Sequence, residues 1–400
     1  MAPSIRIPVR PTRTKETTMD QQKQAKRRQF LQQGVGVAAG LAVPGLAIPG
    51  NAIAQARPAG RDFAGQTLTA LVYSGINENT WRKHFVQPFE EATGAKVMID
   101  AAWTEGIAKL KTAPANQAPF DILMTDPTQG YPAIDEGLFR RIELKNIPNL
   151  AKFHKRILAG RVYDEQWGVP FISSAMTLAW NTEAYPNGLE SWTQLLDGAA
   201  RGNMMLYSQY YMSLYTFAAM KAEKDRAVGK AGEMMMNDID GVLRFAKENR
   251  DAVKYWWPST ADAVNALARK NVVVGNIHGN GLLAPMRDKK PVNGRIPPGD
   301  VAYVQLFLVS PKSVKNPALV EAAMNHFCSE AFQRASAETG ELPANIPAIA
   351  QAQGEKDNVW ATAYPNTQAE FDQLQYYPYD AYFKHLDKIK TTWEREIIRK

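Results

Sequence analysis

The residues that could do chemistry in this 400-residue chain form neither nucleophile–base pairs nor clustered metal ligands. Its five histidines, His84, His154, His278, His326 and His385, are scattered, and no two stand at the spacing that brings imidazoles together on one helix face. No G-x-S-x-G elbow, phosphate-binding glycine loop or H-E-x-x-H motif is present. Carboxylates are plentiful but stand mostly in charge-mixed stretches such as Glu90-Glu91 and Glu394-Arg395-Glu396, the pattern of solvated faces. Cys328 is the single cysteine, so no intrachain disulfide can form, and its setting from Ala322 to Phe327 predicts a small apolar packing role.

What remains is a set of polar and aromatic clusters, each expected just after a strand. They are Tyr73-Ser74-Gly75-Ile76-Asn77, Thr125-Asp126-Pro127-Thr128-Gln129, Phe171-Ile172-Ser173-Ser174, Tyr207-Ser208-Gln209-Tyr210-Tyr211, Trp256-Trp257-Pro258-Ser259 and Asn276-Ile277-His278-Gly279-Asn280. Directed polar groups supply specificity and aromatic faces supply contact area, so this lining suits capture of a small polar molecule. The candidate ligand contacts are Tyr73, Ser74, Asn77, Asp126, Thr128, Gln129, Ser173, Ser174, Gln209, Tyr210, Trp257, Ser259, Asn276 and His278. His278 either donates to a ligand or is a satisfied structural histidine. One of Trp256 and Trp257 belongs to the core, because strand residues alternate faces. No catalytic residue, metal ligand or cofactor is expected.

The elements that must position these clusters follow from hydrophobic spacing. Thr67–Tyr73, Val97–Ala101 and Phe120–Met124 are apolar runs of strand length. Between them Trp81, Phe85 and Phe89 recur at helical spacing, with Asn79 or Thr80 as cap, a kink at Pro88 and a stop at Gly94. A helix over 105–111 precedes the third strand. Later, Met204–Tyr207, Ala252–Trp257, Val272–Asn276 and Val301–Ser310 read as strands, with helices over 261–269, 317–339 and 382–398. Strands alternating with helices predict β-α-β units and parallel sheets. At this length one core would be over-extended, so two α/β lobes are expected, each a mainly parallel sheet flanked by helices. Ligands then sit at the carboxyl ends of the strands.

The formal charge of +7 is concentrated at one end. Residues 1–56 hold 8 basic and 2 acidic groups, which leaves 39 basic and 38 acidic in the rest. A nearly neutral body offers no footprint for a polyanion, so nucleic acid is excluded as a partner. Arg27-Arg28-Gln29-Phe30-Leu31 precedes an uncharged run ending in Ala54-Gln55-Ala56. A basic head, a dilute apolar middle and an A-x-A exit predict an export signal of twin-arginine type. Cleavage is expected after Ala56, with Met19 as an alternative start, giving a periplasmic protein.

The order of motifs resembles that of bacterial extracellular solute-binding proteins, most nearly the spermidine/putrescine-binding type. The resemblance rests on Phe89-Glu90-Glu91-Ala92-Thr93-Gly94-Ala95-Lys96-Val97, Phe120-Asp121-Ile122-Leu123-Met124 and Asp135-Glu136-Gly137-Leu138-Phe139. It continues through Trp167-Gly168-Val169-Pro170-Phe171 with Ala179-Trp180-Asn181-Thr182, then Ser191-Trp192-Thr193-Gln194-Leu195 with Arg201-Gly202, and Glu338-Thr339-Gly340. It implies the type II-like two-lobed periplasmic binding protein fold, monomeric, with a cleft that closes on a solute and delivers it to the membrane permease of an ABC-type importer. The implied lobes are 57–173 plus 279–325, and 174–278 plus 326–400, with chain crossings near Phe171–Ser174 and His278–Gly281.

A dicationic polyamine needs several carboxylates in the cleft. Where that family places acidic residues, this chain has Ser208, Gln209 and Met212, which leaves Asp126, with Glu78 as an outlying candidate. Ferric iron needs a tyrosine pair near the second crossing, and Tyr210-Tyr211 lies elsewhere. A neutral or singly charged organic solute fits best. The alternatives are polyamine or iron binding on the same fold, an input protein for a membrane sensor, and an exported enzyme.

Overall fold

A computed structural model describes residues 63–399, so the predicted signal over 1–56 lies outside the described residues. Ten strands form one mixed, continuous sheet path in the order β2-β1-β3-β9-β4-β7-β5-β6, with β10 beside β9 and β8 beside β4. In chain order these are β1 (Thr67–Val72), β2 (Lys96–Ala101), β3 (Ile122–Thr125), β4 (Gly168–Asn181), β5 (Met204–Tyr207), β6 (Val253–Trp257), β7 (Val274–His278), β8 (Val292–Arg295), β9 (Ala302–Val309) and β10 (Gln375–Tyr376). The strands named from sequence are present, though the seventh begins two residues later than expected. Parallel pairing joins β1 to β2 and β3, and β5 to β6 and β7. The expected mainly parallel character is interrupted at the middle of the path, where β9 runs antiparallel to β3 and β4, and β4 antiparallel to β7.

Two hydrophobic cores flank that interruption. In the first, Trp81, Phe85 and Phe89 stack in series at 4.4 and 5.1 Å, and Trp81 meets Phe327 at 5.8 Å. Full burial of each such ring contributes about 2–3 kcal/mol. The second gathers Trp192, Tyr215, Phe217, Trp257 and Trp393. The helix carrying the first aromatic row starts at Ile76, three or four residues before the expected caps, and Gly75 precedes it with φ of 85°. Next to Pro88 the winding changes: Trp81–Val86 is a π-helix, followed by the α-helix Gln87–Thr93. A proline has no N–H for the carbonyl one turn earlier, and a widened turn upstream accommodates that loss. Gly94 closes the helix at φ 74° and donates to the Glu90 carbonyl at 2.8 Å.

The halves are joined by β4, a 14-residue strand buried almost throughout. Its first part pairs with β9 and its second with β7 and β8, and the register breaks between Ile172 and Ala175. Pro170 is tolerated because β4 is the outer strand of the first half's sheet there, where a missing N–H breaks no ladder. Ser173 and Ser174, expected in a loop after a strand, thus lie inside one. After β7 the helix Asn280–Arg287 leads to β8, which pairs with β4 in the second half; Leu282 of this helix packs in the second core and Leu283 in the first. A further passage follows β10, where Leu374 packs in the first core and Tyr377 in the second.

The stretch 326–374, assigned from sequence to the second lobe, packs in the first core through Phe327, Phe332, Trp360, Tyr364 and Phe371. Periodicity places a residue on a helix face but does not say which of two sheets that face covers. The helix expected over 317–339 breaks at Cys328, because Ser329 accepts from the Phe332 N–H and starts a new helix, Glu330–Ala337. Cys328 is buried and unbonded, as expected of a small apolar residue, and burial pushes its thiol pKa up. The amphipathic C-terminal stretch is divided into Tyr379–Lys384, Leu386–Thr392 and a π-helical turn, Trp393–Ile397. Among the described residues no helix is long and apolar enough to cross a membrane.

Candidate functional site

Each half delivers strand ends toward the other. In the first, β1 ends beside Tyr73 and β3 beside Asp126. Tyr73 is buried, and its phenol donates to Asp126 Oδ2 at 2.6 Å. Asp126 caps the helix Pro127–Asp135: its Oδ1 accepts from the Thr128 N–H at 2.8 Å and from the Thr128 hydroxyl. Gln129 Nε2 approaches Oδ2 at 3.5 Å. Such a cap contributes about 1 kcal/mol to the helix. Burial, then the Asp126 charge, push the Tyr73 phenol pKa well above its ordinary value. The indole of Trp103, just beyond β2, lies tilted by 32° against the Tyr73 ring at 4.9 Å while 59% of its surface is exposed.

In the second half, β5, β6 and β7 end at Tyr207, Trp257 and His278. Tyr207 stacks on Trp257 at 4.2 Å and meets Tyr211 and His278 edge-on at 5.6 and 5.9 Å. Tyr211, in the first turn of the helix Tyr210–Lys224, shares a hydrogen bond of 3.1 Å with His278 Nε2. Burial among these rings holds the His278 pKa down at about 4. The imidazole is therefore neutral at neutral pH and adds no positive charge to the site. Gly279 keeps the turn after His278 close to β4: a Cβ there would meet Thr177 Oγ1 at 2.6 Å.

The tyrosines after β10 tie the two faces together. Tyr377 packs edge-on against Tyr211 and Tyr215 at 5.5 and 5.6 Å, and Tyr379 against Tyr377 and Tyr131 at 6.3 and 6.4 Å. Tyr131 lies one turn past Asp126 on the same helix. Asp126 is close enough that its charge helps raise the phenol pKa of both Tyr211 and Tyr379, with burial the larger cause for each.

The sequence-named candidates divide into three groups. Tyr73, Asp126, Thr128, Gln129 and His278 join this arrangement directly. Ser173 and Asn77 meet elsewhere, in a small cavity lined also by Phe171, Gln333 and Asn345, into which the buried Thr80 presents a hydroxyl with no partner among the described residues. Ser74 is half-buried beside Tyr73, Gln209 is exposed, and Tyr210 turns toward Tyr382 at 5.9 Å.

The third group is occupied by structure. Trp257 is 1% exposed and donates its indole N–H to the Asn276 carbonyl at 3.1 Å. Asn276, fully buried, donates to Thr216 at 2.8 Å and Ser213 at 3.3 Å and accepts from the Tyr207 N–H at 3.0 Å. Ser259 caps the helix Thr260–Ala268, with Asp262 as its partner. Ser174 is buried and accepts from the Asn280 N–H at 3.3 Å. Sequence reasoning omitted Trp103, Tyr207, Tyr211, Tyr377 and Tyr379 from the candidates. The density of aromatics from Tyr376 to Phe383, and a tryptophan two residues past a strand, were the available signals.

Comparisons agree with this architecture. A search of curated proteins found no match. A computed structural superposition relates the chain to an ABC transporter protein of Clostridium perfringens at 15% identity, covering 82% of this chain and 99% of that one, with a TM-score of 0.64. An ABC transporter substrate-binding protein from Bradyrhizobium japonicum is similar at 15% identity, with 82% and 98% coverage and a TM-score of 0.65. The spermidine/putrescine transporter substrate-binding protein of Streptococcus pneumoniae is similar at 14% identity, with 82% and 99% coverage and a TM-score of 0.61. These likenesses establish the two-lobed binding-protein fold. The sequence profile described as bacterial extracellular solute-binding protein matches residues 117–367, and the chain belongs to that family.

Proposed function

We propose that this chain is the periplasmic substrate-binding component of an ABC-type importer, capturing a small polar organic solute between its halves and passing it to a membrane permease. The observation that carries this reading is that strand ends of both halves converge on one aromatic face, while β4 joins the halves at the register break between Ile172 and Ala175. A strand with a local break is a site where two rigid bodies can swing, and contacts made only in the closed form shift the balance toward closure. The reading divides the chain into one lobe of residues 57–173 with 301–374 and another of 174–300 with 375–400. Residues 1–56 act in it as a twin-arginine export signal, cleaved after Ala56, and the mature protein works as a monomer. The ligand contacts are Tyr73, Asp126, Thr128, Gln129 and His278.

A thermal-shift panel of amines, amino acids, organic acids, sugars and metal salts tests it. One class raises stability by about 2.7 kcal/mol at a hundredfold excess over its dissociation constant. Ser174→Trp, which forces an indole into the buried register break of β4, removes the shift. No shift with any solute class, or an undiminished one in Ser174→Trp, contradicts the proposal.

A further inference from the structure

In the small cavity that Thr80 faces, we infer that one ordered water molecule is bound. It joins the helical stretch after β1 to Ser173, so that the hinge bends between Ser173 and Ser174. The water site stands on the fold alone; its part in the hinge rests on the reading proposed above.

The first observation is a hydroxyl without a partner. Threonines inside helices commonly return their hydroxyl to the carbonyl one turn back. Thr93, Thr112 and Thr216 do so here, at 2.6 Å to Phe89, 3.0 Å to Ala108 and 3.0 Å to Met212. Thr80 is 2% exposed, and its hydroxyl has no partner among the described residues. Leaving such a group unpaired in the interior is costly.

The second is the size and lining of the cavity. The space open to the centre of a water molecule there is about 20 Å³, and one ordered water takes roughly 10–15 Å³ on that measure. A solute of several heavy atoms does not fit. No charged side chain lines the wall, so an ion finds no counter-charge. A dry cavity is lined by apolar groups alone, whereas Asn77, Ser173 and Ser336 share this wall with Thr80. They supply the polar partners, about two to four, that a buried water needs.

The third is how β4 is fastened on either side of its break. Before it, the Ile172 N–H donates to Asn345 Oδ1 at 2.9 Å, and Asn345 Nδ2 donates to Gln333 Oε1 at 2.9 Å, on a segment packed in the first core. After it, the Ser174 hydroxyl accepts from the Asn280 N–H at 3.3 Å, and the Ala175 carbonyl accepts from the Gly279 N–H at 3.0 Å, both just after β7. Ser173 lies between the two anchors without a register partner on β9. A water shared with Thr80 fastens Ser173 to the first half and leaves the link from Ser173 to Ser174 as the free joint.

The test is a crystal structure of the mature protein at a resolution that shows ordered waters, with Thr80→Val and Thr80→Ser beside the wild type. One water lies within hydrogen-bond distance of Thr80 Oγ1 and of a polar atom of Ser173. It persists in Thr80→Ser and is lost in Thr80→Val, whose side chain has nearly the same size. Thr80→Val melts about 2 °C or more below the wild type. Its Ser173 amide exchanges hydrogen about fivefold faster, while that of Ile172 is unchanged. A dry cavity in the wild type overturns the water site, and that map decides even if a variant fails to fold. A Thr80→Val chain as stable as the wild type or more so overturns it too, because removing a hydroxyl that had no partner is neutral or favourable. A water on Thr80 with unchanged exchange at Ser173 overturns its part in the hinge. Neither result touches solute capture, which the thermal-shift panel decides separately.

Discussion

The two faces of the cleft are built on different chemistry. The face at the ends of β1 and β3 offers direction: a carboxylate fixed by Tyr73 and Thr128, with donors and acceptors at set angles. The face at the ends of β5, β6 and β7 offers area: Tyr207, Tyr211, Trp257 and His278 in mutual ring contact. The first face rests on helix caps near the surface, whereas the second is continuous with the core through Trp257 and Asn276. Substitutions on the first face should therefore change binding more than folding, and substitutions on the second should change folding first.

The largest effect is expected at Trp257. Truncation to alanine removes a fully buried indole and leaves Asn276 without one partner, so Trp257→Ala destabilises by about 3–5 kcal/mol. Denaturant titration checks this; a loss under 1 kcal/mol would break the contrast between the faces. A second expectation concerns pH. His278 and His326 both titrate near 4 because burial opposes their charged forms, while unfolded imidazoles titrate near 6.5. As pH falls the unfolded chain takes up these protons first, so stability is complete above about 6.5 and declines toward 4. Each group contributes about 1.4 kcal/mol per pH unit inside that window. Denaturation midpoints at pH 7, 5.5 and 4.5 should show the decline, and His278→Gln with His326→Gln should flatten it. The smallest effect belongs to Ser259, whose role is to cap: Ser259→Ala should cost about 1 kcal/mol of stability and leave solute affinity unchanged. Altered affinity would return Ser259 to the site.

Much of this molecule was legible in the sequence because its local rules are strong. Apolar runs bounded by glycine and proline located strands such as Met204–Tyr207, and the 3.6-residue spacing of Trp81, Phe85 and Phe89 identified a helix with its stop at Gly94. What escaped is non-local. The sequence does not state that β4 serves two sheets in succession, since its even burial reads the same in either partner. Nor does it state that Phe332 and Trp360 cover the first core, because a helix face carries no label for its partner. The site divides in the same way. Tyr73 and Asp126 follow from strand-end logic. The burial of Trp257 and Asn276 depends on side chains up to 63 positions away, such as Ser213. Trp103 and Tyr379 join the cleft only through the course of the chain after β2 and β10.

The central claim is reversible capture of one small molecule in the cleft. Native mass spectrometry of the mature chain with the solute that gives the greatest thermal shift tests it most directly. The account predicts one added solute mass per chain, lost on Ser174→Trp, and recovered from the released fraction with its mass unchanged. A solute recovered as a different compound, or bound equally by the Ser174→Trp chain, would contradict it.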